Sequence, residues 1–171
     1  MTFTRCHLQK GGKNMEQKIC AFAGHAKIYG DDTVNANLKN KIINLIENCG
    51  VTIFYNGGKG AFDKMCADCI KELKNDYPFI KSYMILSYMP AEKTEFEEER
   101  YKDFDGTIYP DLEFVPKRFA IVRRNEWMIE KSDFLIAYVE HNWGGAYRTL
   151  VYAKKKKHIK IFNLCDFNKK I

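Results

Sequence analysis

Three short stretches carry residue types that could do chemistry. The first runs from Thr52 to Asp63, where Asn56-Gly57-Gly58-Lys59-Gly60 follows the β-branched and aromatic run Val51 to Tyr55. Glycines between a strand and a helix remove side chains where the backbone turns sharply or where a ligand must come close. The helix that follows aims unpaired N–H groups and the positive end of its dipole at that turn, which suits an anion such as a nucleotide phosphate. Neither a full P-loop nor a dinucleotide fingerprint occurs, and a tight turn without a ligand uses the same glycines. The second stretch is His141-Asn142-Trp143-Gly144-Gly145, and the third is Gly24-His25. Together the two glycine pairs would offer two sets of backbone donors to a ligand with one or two phosphates.

Each candidate side chain also has a plain structural reading. His25 can contact a phosphate or act as an acid or base, or it can close a strand end by hydrogen bonding. Asp63 can contact a ribose or act as a base, or it can complement the dipole in the first turn of a helix. Arg124 can fork onto a phosphate, with Asn125 beside it, or pair with surface acids. Trp143 can stack on a base. Trp127 and Met128 read as core or subunit contact. Cys66 and Cys69 have metal-like spacing but no second pair and no nearby histidine. At i and i+3 they share one helix face, so they read as core and no metal is expected.

These residues must be held by a regular framework. Lys18 to Ala23 reads as a first strand. Apolar residues at Val34, Leu38, Ile42, Leu45, Ile46 and Cys49 give a helix with one buried face, capped by Asp32 or Thr33 and stopped by Gly50. Val51 to Tyr55 is a second strand, and Ala61 to Lys74 is a helix that ends before Pro78. Ile80 to Tyr88 reads as a third strand. Glu92 to Arg100, with five glutamates, reads as a solvated helix or lid-like excursion. Residues 101–115 have no period and read as an irregular insertion. A helix over Pro116 to Lys131, a strand over Asp133 to Val139, a helix over Tyr147 to Lys157 and a strand over Ile159 to Leu164 complete the chain. This alternation predicts an α/β fold: one Rossmann-like domain with a parallel sheet of about five strands and helices on both faces. Ligands bind such sheets at the carboxyl ends of the strands, where all three chemical stretches would lie.

Composition narrows the function classes. The chain has 171 residues, 46% of them apolar, which suits one domain with a real core. No apolar run approaches a membrane span and no secretory signal stands at the start, so the expectation is a cytoplasmic protein with no membrane partner. Six scattered cysteines fit reduced thiols better than a disulfide framework. Net charge is +6, and three of those charges (Arg5, Lys10, Lys13) sit in residues 1–14, leaving +3 for the body. Met15 looks like a natural start, so residues 1–14 read as an extraneous or disordered extension and 15–171 as the domain. The lysines at 154–157 read as a solvated helix end.

Taken in order, Ala-Phe-Ala-Gly-His (21–25), Asn-Gly-Gly-Lys-Gly-Ala-Phe-Asp (56–63), Arg-Arg-Asn-Glu-Trp-Met-Ile-Glu-Lys-Ser-Asp (123–133) and Gly-Gly-Ala-Tyr-Arg-Thr-Leu (144–150) resemble the SLOG superfamily, in particular its YpsA-like bacterial branch. That superfamily also holds DprA and the Lonely Guy phosphoribohydrolases. The resemblance covers about Lys18 to Leu164 and implies a Rossmann-like fold that binds a nucleotide or nucleotide-derived ligand. Lonely Guy enzymes carry a catalytic glutamate in Pro-Gly-Gly-x-Gly-Thr-x-x-Glu. Here Gly144 and Gly145 match, the third glycine is replaced, the spacing is one residue longer, and Tyr152 stands about where the acid belongs. A tyrosine cannot supply the carboxylate that glycosidic cleavage needs.

The leading expectation is therefore a binding or sensing domain for a nucleotide-type small molecule, acting alone or as a homo-oligomer, with no cofactor. Its ligand-binding candidates are Gly24, His25, Asn56, Gly57, Gly58, Gly60, Asp63, Arg124, Asn125, Trp143, Gly144 and Gly145. The alternative is a nucleotide N-glycosidase with Asp63 as the candidate catalytic acid. DNA binding of the DprA kind ranks last, because it needs a continuous basic groove.

Overall fold

Six short strands, each rich in β-branched or aromatic residues, line up in the order β4-β3-β2-β1-β5-β6. A computed structural model describes residues 17–29, 31–89 and 95–165. Its elements are β1 (Lys18–Gly24), α1 (Asp31–Cys49), β2 (Val51–Asn56), α2 (Ala61–Leu73), β3 (Lys81–Ile85), α3 (Glu95–Tyr101), β4 (Gly106–Ile108), α4 (Lys117–Glu130), β5 (Phe134–Tyr138), α5 (Gly144–Lys154) and β6 (Lys160–Asn163). Every neighbouring pair of strands is parallel. The extension expected at residues 1–14 lies outside the described residues.

The period-two alternation of β1 divides the core. Cys20 and Phe22 face α1 and α2, where they meet Leu38, Ile42, Phe62, Cys66, Cys69 and Ile70. Ala21 and Ala23 face the other side, with Met128 and Ile129 of α4 and Leu150 and Ala153 of α5. Both faces of the sheet are covered, as the near-continuous apolar strands require. The small residues on the second side of β1 leave room for α5 to come close.

The chain lays β1 to β4 outward in one direction, then returns through α4 to place β5 on the free side of β1. This reversal opens a crevice at the carboxyl ends of β1 and β5, the place where ligands bind in open α/β sheets.

The sheet has six strands, one more than the sequence reading. The extra strand is β4, three residues inside the segment read as irregular. It is too short to show a period, and it is held by pairing to β3 and by Asp105, whose Oδ2 accepts the Ser82 amide at 2.7 Å. Two helices start earlier than expected, α1 at Asp31 and α5 at Gly144. Asp32 and Thr33 thus sit inside the first turn of α1. Gly144, at φ 88°, turns the chain directly into α5. β3 stops at Ile85 and not Tyr88. Of the acidic segment, residues 95–101 form α3, while 92–94 lie outside the described residues. Among the described residues no helix is long and apolar enough to cross a membrane.

Candidate functional site

A cavity of about 640 Å³ opens at the β1/β5 switch point, within the size range of small-molecule sites. Ten of the twelve ligand-binding candidates line it: Gly24, His25, Gly57, Gly60, Asp63, Arg124, Asn125, Trp143, Gly144 and Gly145. Asn56 and Gly58 do not. Asn56 is buried behind the turn, where its Nδ2 donates to the Asp63 carbonyl at 2.8 Å and its Oδ1 accepts the Gly58 amide at 2.7 Å. It shapes the first glycine turn from inside.

That turn is not the open set of donors its glycines predict. The Gly58 amide is held by Asn56, the Lys59 amide by Asp63 Oδ2 at 2.9 Å, and the Ala61 amide by the Ala26 carbonyl at 3.0 Å. The carbonyls are held too. Arg124 Nη1 donates to Gly57 O at 2.6 Å, and Arg100 Nη2 donates to Gly58 O at 2.8 Å. Beside Gly57, Lys59 and Gly60 of the turn, Asp63 lines the cavity. Burial pushes its carboxyl up to about 6, opposed by the Lys59 amide and by the Arg124 charge.

Arg124 is 3% exposed, an unusual burial for a cation. Its Nη1 bridges Gly57 O and, at 2.8 Å, Ile85 O. Among the described residues Nη2 and Nε have no hydrogen-bond partner, and no ion pair joins the side chain to Asp63. Burial lowers its pKa, and the nearby Asp63 charge acts against that. The surface ion pair that its sequence context allowed is not formed.

The second glycine pair differs in kind. α5 begins without a side-chain cap and without an acidic residue in its first turn. A Cβ placed on Gly144 or Gly145 would meet nothing within 4 Å. Gly145 has an ordinary φ, so no contact inside the protein calls for glycine there. Asn125 steadies this turn from α4: its Nδ2 donates to Thr149 Oγ1 at 3.0 Å, and that hydroxyl donates to Gly145 O at 3.0 Å.

Above this helix end stands a row of three rings. His25 stacks on His141 with centroids 3.6 Å apart, and His141 stacks on Trp143 at 3.8 Å. Trp143 is 67% exposed, so the outer end of the row is open. His25 Nε2 accepts the Glu140 amide at 3.1 Å, which fixes a neutral ring with its proton on Nδ1. Burial and the neighbouring His141 hold its pKa below the ordinary value, against the pull of Glu140.

Gly24 lines the cavity, but its lack of a side chain has another cause. A Cβ there would stand 2.3 Å from the Phe62 ring, so the glycine lets α2 pack on β1. Lys59, Glu140 and His141 line the cavity and were not among the candidates, although each lies within or beside a flagged motif. Lys27, Tyr29 and Ile121 also reach it, and nothing in their spacing marks them. Among the described residues no group of three or more His, Cys, Asp and Glu side chains could hold a metal ion.

The model of the YspA SLOG family (YpsA) matches residues 16–167. The chain belongs to this family. A search of curated proteins gives no significant match to this YpsA-family chain. Its fold is similar to that of the molybdenum cofactor binding protein from Rippkaea orientalis, at 18% identity and TM-score 0.57 over 87% of this chain and 78% of that one. It is similar to DNA processing protein A (DprA) from Streptococcus pneumoniae at 15% identity and TM-score 0.59, over 86% of this chain and 50% of that one. DprA from Helicobacter pylori, described for its single-stranded DNA binding mode, matches at 15% identity and TM-score 0.57 over 84% and 64%. The chain thus spans about half to two thirds of the DprA chains it matches. Tyr152 is not among the cavity-lining residues. Its hydroxyl donates to Glu130 of α4.

Proposed function

We propose that this YpsA-family protein binds a nucleotide or nucleotide-derived ligand at the carboxyl ends of β1 and β5, with a phosphate against the first turn of α5. The observation that carries this reading is the contrast between the two glycine turns. The turn before α2 holds its Gly58, Lys59 and Ala61 amides on Asn56, Asp63 and Ala26, and a carboxylate lines the cavity beside it. α5 keeps an uncapped positive end beside two glycines with free space around them. An anion belongs at the second. Trp143, stacked on His141 at the same helix end and exposed on its outer side, supports the reading as a platform for a base.

The names of the fold relatives support a ligand of this general kind, since they include a cofactor-binding protein and a DNA-binding one. A panel of nucleoside monophosphates, NAD, ADP-ribose and a short single-stranded DNA, read by thermal shift and by release of free base, tests the proposal. A shift by a nucleotide without base release supports binding or sensing. A shift by DNA alone transfers the site to the DprA-like reading. No shift by any of them removes the proposal for these ligands.

One observation favours a second reading, cleavage of an N-glycosidic bond. Asp63 faces the cavity and exchanges its proton near pH 6, which suits general acid–base work at neutral pH. As carboxylate it would take the proton of the water that attacks the sugar C1′ while the base departs. Base release that vanishes in Asp63→Asn would establish this reading, and release that persists would exclude Asp63 from it.

A further inference from the structure

Asp63 and Arg124 face one cavity, and each keeps hydrogen-bonding capacity that the protein does not use. Oδ2 of Asp63 is taken by the Lys59 amide, while Oδ1 has no partner among the described residues. Nη1 of Arg124 is taken by two carbonyls, while Nη2 and Nε have none. Both side chains are buried, Asp63 at 7% and Arg124 at 3% exposed, and no ion pair joins them. Of these atoms Nε is fully enclosed, whereas Oδ1 of Asp63 and Nη2 of Arg124 are not and remain open to a bound group that matches them.

The match restricts what the group can be. A phosphate would accept from Arg124 but be repelled by Asp63. An ammonium would suit Asp63 but be repelled by Arg124. A hydroxyl does both tasks, donating to a carboxylate oxygen while accepting from a guanidinium. Two adjacent hydroxyls, as on the 2′,3′ edge of a ribose, would use Oδ1 of Asp63 and Nη2 of Arg124 together. The Tyr88 side chain is close to Arg124 and makes no hydrogen bond to the pair.

We infer that Asp63 and Arg124 form a hydroxyl-binding pair that selects ribonucleotides over 2′-deoxyribonucleotides. The inference rests on the nucleotide reading above and assigns the end of the ligand away from α5. It also gives Arg124 a sugar to hold, where its sequence context pointed to phosphate.

The test is calorimetric titration of the full chain with the four ribonucleoside 5′-monophosphates and their 2′-deoxy counterparts. A site built to hydrogen-bond a hydroxyl rejects the analogue that lacks it. The expected result is at least tenfold tighter binding of the ribo form, with the preference collapsing to near unity in Asp63→Ala, which removes the acceptor. Equal binding of ribo and deoxy forms by the native chain overturns the inference and leaves the nucleotide reading standing, whether or not the variant folds. A preference that survives in a folded Asp63→Ala protein also overturns it, because another group must then read the hydroxyl. Binding by none of the eight overturns the nucleotide reading for monophosphates, and this inference with it.

Discussion

Replacing Gly145 with Asp should move stability and ligand binding in opposite directions. The position lies in the first turn of α5, has an ordinary φ, and has open space where the new Cβ would stand. The aspartate would therefore enter without strain. Its charge at an uncapped helix start stabilises by about 0.3–1 kcal/mol. Loss of a helical glycine adds roughly a few tenths. For a domain of this size that corresponds to a rise in Tm of about 1–4 °C. The same carboxylate occupies the place proposed for a phosphate. It repels that group and removes charge-assisted hydrogen bonds that contribute about 1.5–3 kcal/mol each, so binding should weaken by at least tenfold. Gly145→Asn, of the same size without the charge, should lose less. Differential scanning fluorimetry without ligand, and calorimetry with the best nucleotide of the panel, read the two effects. A variant that gains stability and still binds as the native chain does would refute the placement of an anion at α5.

Asp63→Asn should stabilise the empty protein at neutral pH. The folded carboxyl titrates near 6, above the ordinary carboxylate value of 3.8, so the native state holds a proton that the unfolded chain releases between these values. Stability from this group is full below pH 4 and is lost as pH rises through 6, by roughly 3 kcal/mol at most. Urea unfolding at pH 7.5 should show the gain and at pH 4 should not. Gly24→Ala should destabilise by about 1–3 kcal/mol, because its Cβ meets the Phe62 ring; thermal unfolding checks this. Trp143→Ala should weaken nucleotide binding by about tenfold to a hundredfold through lost stacking, while affinity for ribose 5-phosphate stays unchanged in calorimetry. Arg124→Met should cost about 2–4 kcal/mol even without ligand, since it strands the Gly57 and Ile85 carbonyls; chemical denaturation measures it.

The layered fold was legible because both periodicities are written into the chain. The residues at 20 and 22 against those at 21 and 23 separate the two faces of β1, and the apolar stripe from Val34 to Ile46 marks α1. β4 was not legible, because three residues carry no period and the strand exists through its pairing to β3. The location of the candidate site was legible from three strand ends, since a parallel sheet brings those ends to one edge. The division of labour within it was not. Gly57, Gly58 and Gly60 look alike in sequence to Gly144 and Gly145, yet the Gly58, Lys59 and Ala61 amides are spent on Asn56, Asp63 and Ala26. Only side-chain geometry shows which glycine turn is closed. For the same reason, the type of Gly24 suggested a ligand while its neighbour Phe62 supplies the cause.

The proposed site at the β1/β5 switch point would take a nucleotide by its phosphate at α5. Calorimetric titration with each nucleoside 5′-monophosphate beside the matching nucleoside tests it most directly. At least one monophosphate should bind, and its nucleoside should bind at least tenfold more weakly. Equal affinity for the two, or no binding of either across the set, would contradict it.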